Sequence, residues 1–363
     1  METLPTKIRI GLFFGGQSPE HEVSLQSAFS VATRIDREKY EVIPIGIDRE
    51  GFWHFFSEQV FYQFVLEGNL NILAPSNINL HVQREIPKKS RELFSPHNLK
   101  KLIDIAFSIL HGPLGEDGTI QGFFELANIP FIGCRTLSSA MCMDKSVTKN
   151  MLAAHGLPTN RFRVLMQASS MTYDEIVEEF GLPFFVKPCS LGSSIGVSKV
   201  SCAQSATKAI EHAFTLCSKV MIEECIKGRE LECGILEGSS IIASAVGEIC
   251  TTHSYYSYTA KYQDPTSSQQ IVPAEITSTI KNEVQCLAKK AFQALQCRGL
   301  ARVDFFLQDN GKLYINEINS LPGFTPSSLF PVLFDQIGID FKTVVGTLIE
   351  SVVNDLNFST DQK

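Results

Sequence analysis

The sequence lacks several features, and each absence excludes a class of function. No stretch approaches the roughly 18 consecutive apolar residues that a membrane-spanning helix needs. Met1 to Lys7 has no basic start followed by an apolar run, so no secretory leader is expected. Charged residues make up only 20% of the chain, with no long run of one sign and a formal net charge of -7. That balance speaks against a nucleic-acid surface and against a basic membrane-binding face. The ten cysteines form no C-x-x-C pair and no Cys/His spacing that suits zinc. They read as small buried apolar side chains in a reducing compartment, here the cytoplasm. Neither G-x-G-x-x-G nor G-x-x-x-x-G-K-[ST] occurs, which counts against a dinucleotide-binding oxidoreductase and a Walker-type phosphate loop. Internal repeats and a low-complexity tail are absent too.

With 363 residues, 44% of them hydrophobic, the chain can bury two or three separate cores. Ile8 to Phe14 is an apolar run ending in Gly15-Gly16, and Ser18-Pro19 then predicts a helix start. Tyr40 to Ile47 and Ile103 to Leu110 read as further strands, so the order implies a parallel sheet covered by helices. His54 to Leu66 reads as helical, and the polar stretch from 69 to 89 as an excursion from the sheet. Ser138 to His155 predicts one helix closed by Gly156 and Pro158. Pro183 to Lys187 and Lys219 to Glu223 predict strands of a smaller unit. The expected division is 1–135, 136–226 and 227–363, an α/β chain of three domains.

The most informative segment runs from Arg302 to Asn319. Asn310-Gly311 between two apolar runs is a strong hairpin signal and predicts a two-residue turn. Asp304 then lies opposite Glu317, and Arg302 opposite Asn319, all on one face. Facing carboxylates repel, and something must compensate. A solvated polar face is one reading. The favoured one is a divalent cation, because Asp304, Glu317 and Asn319 offer hard oxygen donors that suit magnesium holding phosphates.

A second segment, Lys187-Pro188-Cys189-Ser190-Leu191-Gly192-Ser193-Ser194-Ile195-Gly196, follows a strand. Small residues let backbone N–H groups approach an anion, and Lys187 adds a point charge. A plain flexible loop between two strands fits the same residues. Glu20 has two readings as well: a holder of an ammonium group, or an ordinary first-turn acid.

Together these segments resemble the ATP-grasp ligases, and within them the D-alanine–D-alanine ligase family. The resemblance rests on Gly15 to Ser24, His111 to Gly118, Met143-Asp144-Lys145, Lys187 to Gly196, Glu223 to Glu230, Tyr258 to Tyr262, Ala301 to Asp304 and Asn316 to Thr325, in the family's order. It implies the three-domain ATP-grasp fold with an N-terminal parallel-sheet (pre-ATP-grasp) domain. It implies ATP, magnesium or manganese (two ions per site), two D-alanine molecules, a homodimer, and a product used for peptidoglycan precursors. It further implies roles for single residues. Glu20 would pair with the first substrate's ammonium, and Lys145 and Lys187 would neutralise phosphates. Ser194 and Lys261 would stand beside the nucleotide. Glu223, Glu230 and the backbone from Glu224 to Ile226 would hold adenine and ribose. Asp304, Glu317 and Asn319 would ligate the metal, while Arg302 and the Gly323 N–H would meet an oxyanion. Ser328 would take the second carboxylate. Ser193, Tyr262 and Glu20 would form a hydrogen-bonded triad, with 251–270 as a water-excluding lid. His111 is open between a substrate-side and a structural role. Competing readings are an ATP-grasp ligase for another substrate, such as a D-alanine–D-serine type, and a non-catalytic nucleotide-binding regulator.

Overall fold

The computed structural model describes residues 7–77, 96–168, 171–251, 268–325 and 327–360. Three sheets organise these residues. The first holds β1 (Ile8–Gly15), β2 (Tyr40–Ile47), β3 (Trp53–Phe55) and β4 (Ile105–Ser108) in the order β3-β2-β1-β4. β1 pairs in parallel with β2 and β4, as expected from the strand–helix–strand order. Its side chains alternate: Ile10, Leu12 and Phe14 enter one core, and Phe13 enters another on the opposite face. Both faces are therefore covered, which is why the strand reads as a continuous apolar run.

Several expectations about this region shift in detail. The helix after Ser18-Pro19 starts at His21 and runs His21–Ala32, and the Ser18 hydroxyl accepts the Glu20 N–H at 3.0 Å one turn early. The third strand is shorter than read, Ile105–Ser108. The proposed helix at 54–66 is a strand followed by a helix at Glu58–Glu67, because Ser57 caps that helix by accepting the Val60 N–H. Most of the polar excursion, 78–89 within 69–89, lies outside the described residues; Leu70–Leu73 is a short 3₁₀ turn.

The second sheet holds β5 (Phe162–Leu165), β6 (Phe184–Pro188), β7 (Ser198–Val200) and β8 (Val220–Glu224), all antiparallel, in the order β5-β8-β6-β7. Phe184 and Val186 enter a core with the helices Tyr173–Phe180 and Ala203–Leu216. The alternate residues Phe185 and Lys187 face a cleft. The helix expected at 138–155 is two helices, Thr136–Met143 and Lys145–Ala154. Asp144 breaks it with extended backbone and caps the second helix by accepting the Ser146 and Val147 N–H groups.

The third sheet holds β9 (Arg229–Glu237), β10 (Ile241–Thr251), β11 (Ser268–Ile271), β12 (Leu300–Leu307) and β13 (Leu313–Asn319) in the order β11-β10-β9-β12-β13. Helix Ser278–Ala294 packs on it through Val284, Ala288, Ala291 and Phe292. The first and third sheets share one core, in which Phe107 meets Phe324 edge-on with ring centroids 6.5 Å apart. That shared core sets the Gly323 loop against the first domain.

Candidate active site

The hairpin at β12 and β13 carries the site's carboxylates. Arg302 pairs with Asn319 and Asp304 with Glu317, as the sequence predicts. The turn, however, is not two residues long. Leu307 faces Leu313, and the N–H groups of Gln308 and Gly311 donate to Lys312 and Gln308 carbonyls at 2.9 Å each. The extra turn residue shifts the register by one, and a bulge between Asp304 and Phe305 shifts it back. Two departures cancel. The bulge leaves Asn316 unmatched on the partner strand, and its amide oxygen accepts from the Lys187 ammonium at 3.5 Å. Phe305 and Ile315 turn inward to the core, and Asp304 and Glu317 turn to the cleft.

Each carboxylate leans on a cation. The Arg302 guanidinium forks over Asp304, with Nε 2.7 Å from Oδ1 and a terminal nitrogen 2.8 Å from Oδ2, and reaches Glu232 at 3.0 Å. Asn319 donates to Asp304 at 3.0 Å. Burial pushes the Arg302 proton affinity down, but Asp304 and Glu232 outweigh it and raise it well above the ordinary value. Glu317 lies 3.1 Å from Lys145, whose ammonium also donates to the Leu191 carbonyl at 2.9 Å. Burial lowers the Lys145 pKa, and Glu317 outweighs it, so that it stands raised.

Glu223, only 1% exposed, sits between Lys187 and Lys149, which is 2.6 Å away. Burial drives its pKa up; the two ammonium groups overcome this and hold the carboxylate at about 2. A carboxylate whose folded pKa is depressed stabilises the fold above the unfolded pKa near 4.5 and loses that contribution as pH falls towards about 2. A Glu223→Gln variant should therefore lose less stability over that window than the parent. Urea midpoints measured across it check this, and parallel curves would reject it.

A cleft of about 510 Å³ lies between the second and third sheets, within the size range of small-ligand sites. Lys145, Lys187, Ser194, Glu223, Glu224, Ile226, Glu230, Asp304 and Glu317 all line it. Arg302 and Asn319 stand just behind Asp304. On the other side, the Ser193 hydroxyl donates to Glu20 across 173 positions of sequence. Ser193 and Ser194 both adopt left-handed backbone, at φ of 52° and 58°, a conformation uncommon for residues with a Cβ. Gly112 makes the approach possible, since a Cβ there would lie 2.5 Å from the Glu20 carboxylate. Gly323 and Ser328 are adjacent: a Cβ on Gly323 would stand 2.7 Å from the Ser328 hydroxyl, which accepts the Thr325 N–H at 3.0 Å. Lys261 and Tyr262, with most of the expected lid, lie outside the described residues.

His111 is buried, with its ring nitrogens 3.2 Å from Glu116 and 3.1 Å from the Ser27 hydroxyl. That hydroxyl also accepts the Phe324 N–H at 3.2 Å. The histidine therefore braces the Gly323 loop through Ser27. Sequence reading missed three residues here: Lys149, Asn160 and Glu232. The spacing of Lys145 and Lys149, four apart on one helix, was a usable signal. So was Glu232, two residues after Glu230 on one strand. A wider cleft of about 960 Å³, lined by Glu125, Arg135, Glu237 and Arg298 among others, holds none of the expected site residues.

Family models for the D-ala D-ala ligase N-terminus and C-terminus match residues 9–134 and 151–350. The chain belongs to the D-alanine–D-alanine ligase family. The D-alanine–D-alanine ligase of Shouchella clausii (strain KSM-K16) is 41% identical over 356 residues, covering 96% of this chain and 95% of that protein. Among solved structures, this ligase superposes on the VanG D-Ala:D-Ser ligase of Enterococcus faecalis with a TM-score of 0.79 and 33% identity, covering 96% of this chain and 100% of that one. It superposes on the Bacillus anthracis D-alanine–D-alanine ligase complexed with ATP at 0.73 and 28% identity, covering 97% of this chain and 99% of that one. The α/β architecture of the ligase is that of these neighbours. No helix among the described residues is long and apolar enough to cross a membrane.

Proposed function

We propose that this ligase joins two D-alanine molecules into D-alanyl-D-alanine at the expense of ATP. The observation that carries the reading is the bulged hairpin, which sets Asp304 and Glu317 beside Lys145 and Lys187 over a nucleotide-sized cleft. A carboxylate oxygen of the first D-alanine attacks the γ-phosphorus and ADP leaves. The amine of the second attacks the resulting acyl carbon, phosphate leaves, and the amine gives up a proton.

Each residue has a part in this. Glu20, held by Ser193, receives the first ammonium group. Lys145, Lys187 and the left-handed backbone at Ser193-Ser194 receive phosphate oxygens. Glu223, Glu230 and the strand end from Glu224 to Ile226 take adenine and ribose, and Lys261 joins the nucleotide from the lid. Arg302 and the Gly323 N–H stabilise the developing oxyanion, and Ser328 takes the second carboxylate. Tyr262 completes the triad that carries the proton away. Asp304, Glu317 and the Asn319 amide fit magnesium or manganese, because all three supply hard oxygen donors on one hairpin. Among the described residues no three His, Cys, Asp or Glu side chains are grouped for a metal. When bound, such ions, two per site, would neutralise charge on the transferring phosphoryl group.

The ten cysteines are all free, which supports a reducing, cytoplasmic setting. Family resemblance supports a homodimer and the division at 1–135, 136–226 and 227–363. The likeness to a D-Ala:D-Ser ligase favours D-serine as the second acceptor to test. Phosphate release with ATP and magnesium decides, using D-alanine, D-serine, D-lactate and L-alanine in turn. D-alanine alone should support turnover; silence with D-alanine alone would overturn the reading. Tyr262→Phe should raise the use of D-lactate relative to D-alanine, and an unchanged ratio would remove Tyr262 from acceptor choice.

A further inference from the structure

We propose that Lys149 is a positioning residue for the nucleotide, holding the phosphate-side cation and the adenine-side backbone of the cleft in one geometry. The inference rests on the ATP-binding reading of that cleft and deepens it. Lys149 is on the helix Lys145–Ala154, is only 1% exposed, and does not line the cleft. It therefore acts through its neighbours. Its ammonium meets Glu223 Oε1 at 2.6 Å, donates to Thr159 Oγ1 at 3.1 Å and also donates to Asn160 Oδ1. Two donors of the ammonium go to the Thr159 and Asn160 oxygens, and the Glu223 carboxylate completes the surround as an ion pair.

Two branches lead from this hub. The other oxygen of Glu223 holds Lys187, whose ammonium faces the cleft beside Asn316. The Asn160 amide donates to the Glu224 carbonyl at 3.3 Å, at the strand end proposed to read adenine. Glu224 is fixed further, for its N–H donates to the Arg161 carbonyl at 3.1 Å. Burying an ammonium is costly, and an apolar side chain of similar volume fills space as well. What the charge supplies is balance: Glu223 has one cation per oxygen. Without Lys149, both oxygens draw on Lys187 and turn its ammonium away from the phosphates.

The test compares wild type, Lys149→Met and Lys149→Gln by phosphate release, varying ATP and D-alanine separately, with thermal melts to confirm folding. The KM for ATP should rise by about tenfold or more, while that for D-alanine stays within about twofold. Calorimetric binding of a non-hydrolysable ATP analogue is run alongside. If wild type binds the analogue but D-alanine gives no phosphate, the ligase reading fails, and the analogue's Kd still tests Lys149. The proposal is overturned by an unchanged ATP KM or analogue Kd in a folded variant. Equal rises for both substrates, or failure of both single variants to fold, would overturn it too.

Discussion

A Glu317→Gln variant is expected to keep its fold and lose about a thousandfold or more in phosphate release. The change is nearly isosteric and removes one charge. Glu317 lies opposite Asp304 on the neighbouring strand and 3.1 Å from Lys145. A neutral amide ligates a hard dication weakly, and it leaves the Lys145 ammonium its hydrogen bond to the Leu191 carbonyl on the loop side. Stability moves little, because the same change relieves repulsion between facing carboxylates and the Glu317 side chain is 23% exposed. Steady-state kinetics with D-alanine and ATP, beside a thermal melt, read both quantities. Activity within about tenfold of wild type would remove Glu317 from the phosphoryl-transfer machinery.

Arg302→Lys is expected to lower kcat by about a hundredfold to a thousandfold with little change in the KM for ATP. The guanidinium spans Asp304 through two bonds of 2.7 and 2.8 Å and Glu232 at 3.0 Å. An ammonium keeps the charge and loses the planar fork, so it cannot hold both acids and also aim a donor at the developing oxyanion. A rise in the ATP KM with kcat unchanged would assign Arg302 to nucleotide binding instead. The two variants together separate two neighbouring positions at the open end of the hairpin. In the proposed mechanism one serves the phosphate side, and the other serves the carbonyl that becomes tetrahedral.

Much of the site was legible along the chain because its signals are local. Strand alternation placed Asp304, Glu317, Arg302 and Asn319 on one face, and the Gly- and Ser-rich run after Lys187 announced a loop between two strands, β6 and β7. The strand–helix–strand order also gave the parallel first sheet. Helix boundaries were less legible. Asp144 divides one apparent helix because its side chain satisfies the next helix's N–H groups, and Ser57 does the same before Glu58–Glu67. The hairpin turn was misread as two residues, yet the pairing near Asp304 holds because a bulge restores it.

What the sequence by itself determined is therefore chemistry at fixed short spacing: the donor atoms, the alternating faces and the small residues that admit an anion. What only the tertiary structure decided is which distant groups neutralise them. Glu20 meets Ser193, Lys149 and Lys187 share Glu223, and His111 braces Phe324 through Ser27. Periodicity encodes the direction in which a side chain leaves its own strand or helix. A buried charge is settled by whatever opposite charge packing brings within hydrogen-bond reach, and that partner lies far away in the sequence.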